Sequence, residues 1–148
     1  MVVSVTMRML VFAVCLLGCC AYALARGGRP EKIGVLTLLA GSVLSAAAMS
    51  PAVGRFATVE IGVMLVDLAV LAVCVALALA TDRYWPLWVS ALQLIGVLAH
   101  AARLADPEMM RNGYAFLLAV WSYPMLLAIA LGTRAHHRRT RDRPAAPA

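Results

Sequence analysis

Five blocks of nearly unbroken apolar sequence, at about 9–25, 33–50, 57–80, 84–103 and 113–132, leave this chain few ways to fold. Each is close to the ~20 residues that carry an α-helix across ~30 Å of hydrocarbon. The apolar residues run in blocks rather than at one-face spacing, which separates them from the surface helices of a soluble domain. Of the 148 residues, 64% are hydrophobic and 14% charged, too few charges for a water-facing surface. The expected fold class is therefore an all-α integral membrane bundle of five transmembrane helices. Three residues separate the third and fourth spans, the other loops are under ten, and residues 133–148 form a basic tail expected to be disordered. None of these pieces can bury a core of its own. Any site belongs to the bundle, its rims or the tail.

Alternate loops differ in charge. Arg26, Arg29, Lys32, Arg83, Arg134, Arg138, Arg139, Arg141 and Arg143 fall on one side, and Arg8, Arg55, Arg103 and Arg111 on the other. Nine against four predicts the first side to be cytoplasmic, with the N-terminus outside and the C-terminus inside. A competing reading takes Met9 to Ala25 as a signal-peptide core ending in Ala23-Leu24-Ala25, or LLGC at 16–19 as a lipoprotein box. Either cleavage leaves four spans and reverses the charge rule, so the first span is expected to be retained. Lys32 is the only lysine in an alanine-rich chain, which suggests a GC-rich bacterial source and hence an inner membrane.

The punctuation suits this layout. GGRPEK at 27–32 turns the chain between the first two spans, with Pro30 suited to a first helical position. Ser50-Pro51 is expected to end the second span. Asp106-Pro107-Glu108 reads as an N-cap, an N1 proline and a first-turn acid. Tyr84, Trp85 and Trp88 are placed for an aromatic belt at the cytoplasmic headgroups. Gly41-xxx-Ser45 allows close helix approach, and Pro124 removes a donor and kinks the fifth span.

The feature least explained by spanning a membrane is VEIGVMLVDLAV at 59–70, which carries Glu60 and Asp67 on one helical face. Asp67 falls near the bilayer centre, where a charged aspartate costs roughly 2.5–3.5 kcal/mol on insertion scales. Such a residue turns inward and finds a partner. The short link at 81–83 makes the third and fourth spans an antiparallel hairpin, and matching depths across it pairs Asp67 with Gln93. The same matching pairs Glu60 with His100 and Arg103. Ser122 and Tyr123, in WSYP, lie at the depth of Asp67 and Gln93. The expectation is an intramembrane polar site of Asp67, Gln93, Ser122 and Tyr123, and an outer-rim cluster of Glu60, His100 and Arg103. Interhelical glue is the plainer reading of the same residues, because such hydrogen bonds contribute only ~0.6 kcal/mol on average.

Other signals carry less. Cys15, Cys19, Cys20 and Cys74 suit neither a disulfide framework nor a CxxC metal pair, and His136-His137 alone makes no metal site. No cofactor or metal is expected. Arg134, Arg138, Arg139, Arg141 and Arg143 fit a topology anchor that attracts anionic lipid, and the absence of aromatics among them argues against nucleic acid. No Walker loop, HExxH, nucleophile elbow or nucleotide fingerprint occurs. The leading functional expectation is a non-catalytic protein that packs with or stabilises a larger membrane complex, as a partner or homo-oligomer. The alternatives are a small proton-coupled carrier or ion-conducting protein using Asp67, or a quinone- or lipid-binding subunit.

Overall fold

A computed structural model describes residues 2–49, 60–106, 108 and 110–142 of the chain. The expected breaks at Ser50-Pro51 and Pro107, and the arginine at Arg143, lie outside the described residues. The described chain is helical throughout: α1 (Val2–Arg26), α2 (Arg29–Ala48), α3 (Ile61–Ala80), α4 (Trp85–Ala105), α5 (Arg111–Val120) and α6 (Ser122–Arg141). α1 to α4 are each long and apolar enough to cross a membrane, and α5 with α6 form the fifth such segment.

The break at Trp121 between α5 and α6 follows from Pro124, whose ring has no N–H for the carbonyl of Val120. The Met125 amide reaches the Trp121 carbonyl at 3.3 Å and restarts the helical ladder. At the other end the helix continues to Arg141, well past the expected end of the span at 132. Residues 133–141 are thus helix and not the disordered tail expected from composition. Two hydrogen bonds hold this extension: the Arg26 guanidinium to His137 Nε2 at 2.9 Å, and that of Arg83 to His136 Nδ1 at 3.1 Å. Asp106 also departs from expectation. It closes a local turn, accepting the Glu108 amide at 3.0 Å, and α5 begins only at Arg111.

Each span packs against its neighbours in the chain, and α6 returns to pack on both α4 and α1. The result is a closed ring in which sequence order is spatial order. Five antiparallel passes leave the start of α1 and the end of α6 at opposite ends of the ring, although the two helices lie side by side. Apolar side chains such as Val14 and Leu79 project outward around it. In lipid they gain nothing by burial, so the inner contacts depend on close van der Waals fit.

That fit is tightest at the end formed by the α3–α4 turn. Trp85, 7% exposed, inserts between α2 and α6 against Gly34 and Gly132. A Cβ on Gly34 would stand 2.5 Å from Trp85 Cη2, and one on Gly132 would strike the same ring. Trp85 is therefore an internal wedge and not part of an aromatic belt; Tyr84 and Trp88 alone of the three remain exposed. Its indole N–H donates to Glu31 Oε1 at 3.0 Å, and Glu31 Oε2 accepts the Gly28 amide at 2.9 Å. Glu31 occupies the third position of α2 and reaches back to its N-cap, where the helix dipole favours an acid. Gly41 makes a second close approach, with Val70 of α3: a Cβ there would lie 2.7 Å from Val70 Cγ2.

Candidate functional site

Most hydroxyls in this bundle look after themselves. Thr37, Ser42, Thr81, Ser90 and Thr133 each donate to the carbonyl four residues back in their own helix, at 2.7–2.9 Å. That is how a polar side chain is satisfied where no water is available. The residues around Asp67 behave differently, because their hydrogen bonds run between helices.

Gln93 Nε2 donates across the α3–α4 hairpin to Asp67 Oδ1 at 3.1 Å and to the Asp67 carbonyl at 3.2 Å. The short turn puts both residues at one depth, and their helices present those faces to each other. Nearly two turns further along α4, His100 Nε2 lies 3.1 Å from Asp67 Oδ2. His100 is fully buried, and its Nδ1 lies 2.6 Å from the hydroxyl of Tyr114 on α5. The imidazole and phenol rings meet edge to face. The Tyr114 oxygen in turn accepts the Glu60 amide at 3.4 Å, where α3 begins. Arg103 stands with its guanidinium carbon 6.0 Å from the centre of the Tyr114 ring and is buried, as is Glu60.

One assignment of protons satisfies this whole chain. An ionised Asp67 accepts from Gln93 and from His100 Nε2–H; neutral His100 then accepts the Tyr114 hydroxyl proton at Nδ1. The phenol oxygen keeps a lone pair for the Glu60 amide. Every link but the amides can give up or take a proton, so the chain has the composition of a proton relay.

Asp67 is also the place where this chain meets open space. The half of the ring away from Trp85 holds a half-open cavity of about 250 Å³ lined by all six helices. Its walls are mostly apolar, with Phe12 and Leu16 of α1 facing Leu118 of α5 and Met125 of α6. Ser42, Ser45, Gln93 and Ser122 contribute the polar groups, and Asp67 is the one charged side chain among the described lining residues. His100 is sealed from this space, whereas Asp67 retains 21% side-chain exposure.

The expected groupings are redrawn accordingly. Asp67, Gln93 and Ser122 do come together at the cavity, but Tyr123 does not. Its hydroxyl turns to the Arg8 carbonyl of α1 at 3.4 Å, and its ring stacks edge-on against Phe12. His100 leaves the outer cluster to bind Asp67 directly, while Glu60 and Arg103 gather around Tyr114. Ser45 lines the cavity, and Gly41 is both lining and contact. Arg134, Arg138 and Arg141 lie with Tyr22 and Asp142 around a shallow depression on the α6 extension, and Arg139 faces a different groove.

Two elements escaped the sequence. Tyr114 is the larger omission, and depth matching across the 106–110 connection, applied as it was across 81–83, selects it opposite His100. The Glu31–Trp85 pair joins helices remote in sequence and leaves no comparable signal. Among the described residues, no group of His, Cys, Asp and Glu is arranged to hold a metal ion. No family model, curated protein or solved structure matches this chain.

Proposed function

We propose that this protein is a small proton-coupled carrier that exchanges a proton for a compact organic cation at Asp67. The observation that carries the reading is the position of that carboxylate, between the His100–Tyr114 relay and an apolar-walled cavity in which it is the lone charge among the described residues. A cavity of this kind, with few convergent polar groups, suits a small ligand. Its charge selects a cation, and its apolar walls favour one with hydrocarbon around the charged centre.

The exchange is simple to balance. With the cation bound, Asp67 is ionised and compensates it. When the cation leaves, a proton entering at Tyr114 is passed on: Tyr114 gives its hydroxyl proton to His100 Nδ1 and takes up the incoming one, and His100 Nε2 releases its proton to Asp67 Oδ2. The carboxyl becomes neutral, and an empty charged site in low dielectric is avoided. Glue alone would need no cavity beside the acid, which is why the carrier reading is preferred here to a role in assembling a larger complex.

The nine-to-four distribution of Lys and Arg supports an orientation with the Trp85 end in the cytoplasm and the Tyr114 end outside. The composition supports a bacterial inner membrane. Protons would then enter at the outer face, down the usual gradient.

The test uses vesicles holding the purified protein, an acidic lumen and a trapped pH dye. Phenyltrimethylammonium, a permanent cation small enough for the cavity, is added outside. The wild type alkalinises the lumen; Asp67→Asn, which keeps shape but cannot titrate, does not. Equal responses from the two proteins would sink the proposal.

A further inference from the structure

A second concavity lies on the outside of the ring, between α4 and α6, and is unconnected with the Asp67 site. This groove of about 510 Å³ runs from Pro124, where α6 is bent, to the Trp85 end. Its bed is apolar: Trp88 is 68% exposed, Leu127 59% and Leu131 55%, and Gly132 contributes no side chain. Arg83 from the α3–α4 turn and Arg139 from the basic last turn of α6 also line it. No acid is among the described residues that line it. Because Arg83 is tied to His136 one turn before Arg139, its guanidinium is held on the α6 side of the groove.

This is an apolar trough open to the hydrocarbon with two cations at the headgroup level. A zwitterionic lipid would bring its own ammonium to those arginines, whereas an anionic one answers them fully. We propose that the groove is a binding site for one anionic phospholipid, its acyl chain lying on Trp88, Leu127 and Leu131 and its phosphate between Arg83 and Arg139. Guanidinium forks suit phosphate oxygens, and basic recesses between membrane helices favour such headgroups. The exposed indole of Trp88 belongs at the same interface.

The assignment differs from diffuse attraction to the tail. Arg134, Arg138 and Arg141 surround a separate depression that includes Asp142 and has no hydrocarbon bed. Phosphatidylglycerol and phosphatidylcholine titrations, followed by native mass spectrometry of the full chain, separate the two. The wild type should hold one phosphatidylglycerol in preference to phosphatidylcholine, and excess inorganic phosphate should not displace it. Arg83→Gln with Arg139→Gln should weaken it roughly 25-fold, from about fivefold for each arginine near a bilayer surface. Arg83→Lys with Arg139→Lys retains charge and should restore most of the affinity, which guards against a folding defect. Arg138→Gln with Arg141→Gln should leave it unchanged. An equal loss in that tail variant, displacement by phosphate, or no preference in the wild type would overturn the proposal.

Discussion

Glu31 and Asp67 are two acids inside one small bundle, the first buried and the second partly exposed, and their surroundings differ in kind. Glu31 is held by the indole N–H of Trp85 and the amide of Gly28, donors that never change protonation. Asp67 is held by the amide of Gln93 and the imidazole of His100, and the imidazole can reverse its role. Glu31 sits where packing is closest, with Trp85 locked against Gly34 and Gly132. Asp67 sits beside a cavity. The same functional group is a rivet at one end and, in the function proposed here, a binding site at the other, and what surrounds it makes the difference.

The sharpest challenge to that contrast is Trp85→Ala. It leaves a large void and strips Glu31 of a donor, so we expect a loss of about 3–5 kcal/mol in unfolding experiments in mild detergent. A loss below about 1 kcal/mol would mean that the close-packed end is not what holds the ring. Next come the paired amides. In Glu31→Gln, the new NH2 must face either an indole or a backbone donor, and neither can adapt; a cost of about 1–3 kcal/mol follows. In Asp67→Asn, His100 can switch tautomer to accept the amide N–H and donate to the Tyr114 oxygen. Its cost should stay within about 1 kcal/mol while cation-driven proton exchange disappears. Reversal of that order of stabilities would erase the distinction between rivet and site.

What could be read in advance depended on how local the governing rule was. The bilayer dictates span length residue by residue, so five segments long and apolar enough to cross are visible in composition and block length. Asp67 and Gln93 lie on a hairpin whose turn is too short to permit much offset, so depth fixed their meeting. Depth alone says nothing about azimuth, and Tyr123 shows the consequence: it has the right level but points at α1, beyond the Pro124 kink. The α6 extension was hidden because its stabilising contacts, Arg26 and Arg83 with His137 and His136, come from the end of α1 and the α3–α4 turn. Trp85 was hidden by chemistry it shares with every interfacial tryptophan.

Smaller effects refine the picture. Tyr114→Phe removes the 2.6 Å bond to His100 and should cost about 1 kcal/mol. It should also slow proton exchange with little change in the cation concentration giving half the response, since the phenol does not line the cavity; the vesicle assay reads both quantities. Trp121→Phe tests the kink. Its indole nitrogen is buried without a hydrogen-bond partner among the described residues, so losing it should alter stability by no more than about 0.5 kcal/mol.

The side-by-side placement of α1 and α6, with the start of one and the end of the other at opposite ends of the ring, limits how this ring can be rewired. In the orientation proposed above, no peptide linker outside the lipid can join the start of α1 to the end of α6, so circular permutants are closed to it. A tandem gene fusion without an added crossing would insert the second copy upside down. Engineers wanting two like-oriented copies in one polypeptide must supply a sixth hydrophobic segment between them.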